Sequence, residues 1–169
     1  MNRSPFSFST VLLVVLAVSL VLPLSACSRQ PSREEQTLAY LDAMLPILDD
    51  IGAADGIYAD KMELVLELND ALLIEQASTI IDLATDDYFS ILFDCGDRVV
   101  AIDPPFHLMR GHSYFRSFLQ QQRFSVYMFQ LGVKAGDQGC LDEAEAAMHE
   151  AQEYFDKWQR EVERGLEDL

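Results

Sequence analysis

A chain of 169 residues, half of them hydrophobic, with 28 acidic side chains against 12 basic ones, has the length of one domain with one ordinary core. Its formal charge of −16 repels nucleic-acid phosphates and anionic head groups, so the expected partners include no nucleic acid and favour basic proteins or cations. Much of the hydrophobic excess lies at the amino terminus, and the remainder has the composition of a globular chain rather than a disordered one.

Met1 to Ser9 hold a single charge, Arg3, and Val11 to Leu22 are apolar apart from Ser19. That is a basic n-region followed by an h-region of about a dozen residues. A spanning helix needs about 20 apolar residues, and here Pro23 stops the run before the small residues Ser25 and Ala26. Leu24-Ser25-Ala26-Cys27 resembles the lipobox of bacterial lipoproteins. The resemblance implies cleavage between Ala26 and Cys27, with the Cys27 thiol carrying a palmitate-type diacyl anchor as the lipidation site. The membrane is then a partner through that anchor, because two or three acyl chains at about 0.8 kcal/mol per buried methylene hold where one would be marginal. The implied organisation is a signal peptide at 1–26, a lipidated tether at 27–32 and a folded domain at 33–169. The implied location is the cell envelope. By the rule of the class, Ser28 rather than aspartate after the cysteine points to the outer membrane of a Gram-negative cell; in a Gram-positive cell the anchor lies on the extracellular face of the membrane. Loss of Arg3 would leave 11 basic against 28 acidic residues, about −17.

Ser32-Arg33-Glu34-Glu35 has the spacing of a capping box and opens the first predicted helix. Leu38, Leu41, Leu45 and Leu48 follow on one stripe, Pro46 is expected to kink or shorten the helix, and Gly52 to Gly56 to end it. A second helix is predicted over Asp60 to Leu83, in two pieces if Asn69 and Asp70 cap a fresh start. Residues 88–103 read as a short hairpin or irregular segment, because Cys95-Gly96-Asp97 is a turn signal flanked by two apolar runs.

After Pro104-Pro105, a heptad seam runs through Leu108, His112, Phe115, Leu119, Gln122, Val126, Phe129 and Val133. Gly136-Asp137-Gln138-Gly139 reads as a helix-helix turn, and Leu141, Ala144, Met148, Ala151, Phe155, Trp158 and Val162 repeat the seam. The predicted fold is all-α, a bundle of about four helices. Residues 34–97 carry sixteen acids and only Lys61 as a base, whereas 98–136 carry five bases and only Asp103, so Arg110, Arg116 and Arg123 are expected to pair with acidic neighbours.

Sequence motifs point away from an enzyme and call for no cofactor: there is no Gly-x-Ser-x-Gly, phosphate loop, haem-attachment motif or Glu-x-x-His pair. Glu145, His149 and Glu153 recur every four residues on one helical face and are the metal candidates, against the simpler reading of a solvated face. His112 and Met148, one on each seam, suggest a His/Met haem bundle, against a hydrogen-bonded core histidine. Cys95 and Cys140 are the disulfide candidates, although an up-and-down bundle would hold them far apart. Phe106, Tyr114, Phe115, Phe118, Phe124, Tyr127 and Phe129 cover more than one face of the third helix, which is then either central or the wall of a groove. The functional expectation is a lipid-anchored envelope protein with a helical domain that binds or scaffolds a basic protein partner, the alternative being a metal- or haem-binding bundle.

Overall fold

The computed structural model describes residues 31–67 and 74–167. They form four helices, α1 (Arg33–Glu67), α2 (Ile74–Ala101), α3 (Met109–Ala135) and α4 (Gln138–Glu167), with a 3-10 turn at Phe106–Leu108 before α3. The fold is an all-α bundle, and no strand occurs among the described residues. The signal region, Cys27, and the caps expected at Asn69 and Asp70 lie outside the described residues.

The capping box forms as spaced: Ser32 Oγ accepts from the Glu35 N–H at 3.1 Å, and Glu35 Oε2 accepts from the Ser32 N–H at 2.6 Å. The helix it opens does not end at Gly52 to Gly56. It continues to Glu67, because Tyr40, Met44, Ile47, Ile51 and Ala54 bury an unbroken three-and-four stripe that offsets the roughly 1 kcal/mol cost of each glycine. The same stripe lies slightly to one side of the leucine stripe expected from sequence, leaving Leu38 and Leu45 only half-buried. Pro46 sits within the helix on an exposed face, and Asp42, whose carbonyl loses its helical donor to the proline, is exposed too.

The hairpin expected at 88–103 is also replaced by helix, α2 running without interruption to Ala101. Tyr88, Leu92, Cys95 and Val99 recur at four, three and four, and all are buried. That helical period decides the segment, and Gly96 serves close packing rather than a turn. The expected break at Gly136 is present. Gly136 takes the left-handed conformation at φ 63°, the Gly136 and Asp137 N–H groups both reach the Gly132 carbonyl, and Asp137 Oδ1 accepts from the Gly139 N–H at 2.8 Å to start α4.

The α3–α4 pair is an antiparallel hairpin, with Gly111 against Glu161 and Trp158 near one end and Gly132 against Leu141 at the other. Its core is aromatic: Trp158 lies 5.0 Å from Phe115 and 5.3 Å from Phe155 between ring centroids, and Phe118 lies 5.2 Å from Phe155. Tyr40 of α1 closes this cluster, accepting from Trp158 Nε1 at 3.1 Å and lying 3.4 Å from His112 Nδ1. Burial pushes the Tyr40 phenol up to about 12.

Candidate functional site

The polar stripe of α3 lies beside its core seam. Ser113, Arg116, Ser117, Gln120 and Arg123 follow one another at three, one, three and three, so they share the face that looks toward α2. With Gly96, Asp97 and Val100 of α2 they line a cavity of about 400 Å³. Arg123 is held in a fixed place there. Its Nη2 donates to the Leu92 carbonyl, and its guanidinium carbon stands 4.3 Å from the centroid of the Phe93 ring. A Cβ at position 96 would fall 2.0 Å from Arg123 Nη2, so the missing side chain of Gly96 makes room for the guanidinium. Burial lowers the Arg123 pKa from its ordinary value, and Asp97 opposes that shift.

A second cavity, of about 690 Å³, shares Gln120 and Arg123 with the first and continues over Phe89, Phe93, Phe124 and Tyr127. Phe93, Phe124 and Tyr127 are 56%, 44% and 48% exposed, too much for core residues of their size. The groove is therefore cationic and polar at one end, aromatic at the other, and jointed at Arg123. Both readings of the α3 aromatics apply: Phe115 and Phe118 are core, Phe124 and Tyr127 form a groove wall, and Phe106 is 89% exposed.

Behind the groove, α3 turns a further polar residue, Gln122, inward. Gln122 Nε2 donates to Tyr88 OH at 2.7 Å and to Asp55 Oδ1 at 3.1 Å, while the Tyr88 hydroxyl donates to the same Asp55 oxygen. Burial is the main cause that raises the Asp55 carboxyl, against the two hydrogen bonds that favour its charged form, and burial with the adjacent carboxylate raises the Tyr88 phenol. This network joins α1, α2 and α3 through three side chains. A third cavity, about 690 Å³ and almost wholly apolar, is lined by Met62, Ile81, Phe129, Val133, Leu141 and Met148 with Tyr58 and Val126.

The residues singled out by sequence fare differently. Glu145, His149 and Glu153 stand on the outer face of α4, with the Glu145 and His149 side chains 77% and 80% exposed and 3.9 Å apart, while Glu153 turns to Lys157 at 3.4 Å. Among the described residues no group of three His, Cys, Asp or Glu is placed to hold a metal ion. His112 is buried against Tyr40, and burial, reinforced by Arg116, lowers its pKa. Met148 belongs to the apolar cavity, so the two seam residues do not converge on one site. Cys95 and Cys140 are free thiols rather than a bridge. Cys95 packs on the Ile47 carbonyl, one residue from the Gly96 that faces Arg123, whereas Cys140 follows the turn after Ala135. The stretch of α3 from Arg123 to Ala135 rises about 18 Å, beyond the roughly 7 Å limit on a disulfide's Cα separation.

Comparison with known protein families, with curated proteins and with solved structures finds no match to this chain. The site accordingly stands on its own geometry.

The expected pairing of the α3 arginines is corrected. Arg110 Nε donates to the Tyr114 hydroxyl at 2.7 Å, Arg123 to a backbone carbonyl, and neither they nor Arg116 form an ion pair among the described residues. Ion pairing falls elsewhere: Arg98 reaches Asp50 at 2.5 Å and Asp94 at 3.2 Å, Lys61 reaches Asp87 at 2.8 Å, and Lys134 pairs with Asp82. Sequence alone pairs these arginines with acidic neighbours and so gives no sign of the cationic cavity. The Asp55–Tyr88–Gln122 network had one available signal, a glutamine on an otherwise apolar seam.

Proposed function

We propose that this chain is a lipid-anchored protein of the bacterial cell envelope whose helical bundle binds or scaffolds a protein partner. The observation that carries the reading is the groove between α2 and α3, where Phe93, Phe124 and Tyr127 are exposed together beside two arginines. Exposed aromatics next to arginine are the side chains that supply most binding energy at protein interfaces. The anchor is supported by the ordered signal regions and Leu24-Ser25-Ala26-Cys27. No helix among the described residues is long and apolar enough to cross a membrane.

The outer faces of α1 and α4 add a long-range field. Asp42, Asp49, Asp50 and Asp60 on α1, and Glu143, Glu145, Glu150 and Glu153 on α4, are exposed. A basic protein is steered toward such a surface, and the aromatic groove then sets how long it stays. Two measurements test the proposal. Metabolic labelling with a fatty acid should mark the wild type and not Cys27→Ala; equal label in both removes the anchor. Crosslinking in the native membrane should capture a partner through photoreactive groups at Phe124 or Tyr127, with an association rate that falls steeply between about 50 and 500 mM salt. A salt-independent rate removes the electrostatic part.

A further inference from the structure

We propose that the groove between α2 and α3 receives a peptide C-terminus ending in an aromatic residue. Its carboxylate lies against Arg116 and Arg123, and its ring lies among Phe93, Phe124 and Tyr127. This deepens the binding role proposed above and rests on it only for the source of the ligand, a protein partner.

Charge selects the anion. In a chain of net charge −16, Arg116 and Arg123 line one cavity and neither forms an ion pair among the described residues. Asp97 is the one acidic side chain among the described residues of its lining, so the cavity carries a single excess positive charge. That matches a carboxylate, with one negative charge. A phosphate monoester brings about −1.5 to −2 near neutral pH and exceeds the balance. Guanidinium groups offer parallel N–H donors that suit the two carboxylate oxygens, and Ser113, Ser117 and Gln120 on the same wall can meet the last peptide group.

Preorganisation favours the same occupant. The Leu92 carbonyl and the Phe93 ring already hold Arg123 in the space above Gly96, so little side-chain freedom remains to be lost when an anion arrives. The cavities adjoin at Gln120 and Arg123. In a C-terminal aromatic residue the carboxylate and ring are joined through one Cα and one Cβ, which puts them on either side of that joint. A ring entering the second cavity meets three exposed aromatic side chains, an arrangement that favours offset or edge-to-face packing.

The test is an NMR titration of the full-length chain in neutral detergent with three probes: acetyl-Ala-Phe with a free carboxylate, its C-terminal amide, and acetyl-Ala-Gly with a free carboxylate. The free phenylalanine acid should shift the amides of Gly96, Ser117, Gln120 and Phe124 and the Arg123 side-chain resonance. The amide should bind about tenfold more weakly through loss of the charged hydrogen bonds, and the glycine acid about tenfold more weakly through loss of the ring. Arg116→Gln, at an exposed position that leaves the fold intact, should weaken the acid about tenfold and leave the amide unchanged. Arg160→Gln, which lines neither cavity, should change nothing. Equal binding of acid and amide overturns the carboxylate site, and equal binding of the phenylalanine and glycine acids overturns the aromatic one. Shifts confined to the apolar cavity around Met62 and Met148, or no saturable shift up to about 10 mM, overturn the whole assignment. If the titration fails while Cys27 labelling and the crosslink at Phe124 persist, the proposed function survives and this ligand does not; loss of the label and crosslink with an intact titration gives the reverse.

Discussion

The two faces of α3 were made by one helix and serve different ends. Toward α4, Phe115 and Phe118 meet Phe155 and Trp158 in a packed aromatic core; toward α2, Arg116, Gln120, Arg123 and Phe124 border open space. The first face is mostly apolar on both helices, so burial dominates it, and a buried hydrogen bond from Ser125 Oγ to the Ala144 carbonyl at 2.7 Å adds to it. On the second, a guanidinium lies over a glycine and is fixed by a carbonyl and a ring, which leaves room beside it. A filled interface sets stability, and an unfilled one is where a ligand can be met.

Trp158→Ala is the sharpest way to break that contrast. It should cost about 3–5 kcal/mol by denaturant unfolding, whereas Phe124→Ala on the groove wall should stay within about 1 kcal/mol. Comparable costs for the two would mean that the groove is part of the core. Next in size is the polar network between the faces: Tyr88→Phe removes the hydroxyl shared by Asp55 and Gln122 and should cost about 1–2 kcal/mol.

Asp55→Asn should act in the opposite sense. Burial raises the Asp55 carboxyl in the folded state, so the native protein holds that proton to higher pH than the unfolded chain does. Its contribution to stability therefore falls as pH rises through the interval between the unfolded and folded values. An amide keeps an acceptor for Tyr88 without the buried charge. The variant should melt higher than wild type at pH 7.5, with the difference vanishing toward pH 4, as read by thermal melts across that range.

Gly96→Ala separates stability from binding. The new Cβ meets only the end of the Arg123 side chain, which can swing away, and alanine restores about 1 kcal/mol of helix propensity. Stability should stay within about 1 kcal/mol of wild type, while affinity for the aromatic carboxylate peptide falls by about tenfold. The smallest effect belongs to His112. Its pKa is lowered by burial and by Arg116, so the unfolded state takes up the proton first as pH falls below about 6.5, and stability drops there. His112→Asn should flatten the slope of stability against pH between 7 and 5.

How much of this was legible depended on whether one periodicity acted alone. The capping box at Ser32, the seams from Leu108 to Val126 and from Ala151 to Val162, and the turn at Gly136 were all readable, because local chemistry and burial agree there. Gly52, Gly56 and Gly96 read as breaks in the sequence, yet both helices run through them. Local propensity argued for termination, but buried Ile51 and Ala54, and Leu92, Cys95 and Val99, carried the helices through. The groove was legible only as an excess of aromatics on α3. Its cationic half depends on which charges fail to pair, and pairing is settled by three-dimensional neighbours that composition does not reveal.

The two free thiols among the described residues make the bundle its own stopwatch. Cys95 is fully buried on the Ile47 carbonyl of α1, and burial holds its thiol above the ordinary range, while Cys140 is partly open at the start of α4. A thiol reagent therefore reaches Cys140 in the closed molecule but reaches Cys95 only when α2 lifts from α1. With Cys140 replaced by serine, the labelling rate of Cys95 counts those openings directly, and a ligand seated between α2 and α3 slows the count by the fraction of time it holds α2 down.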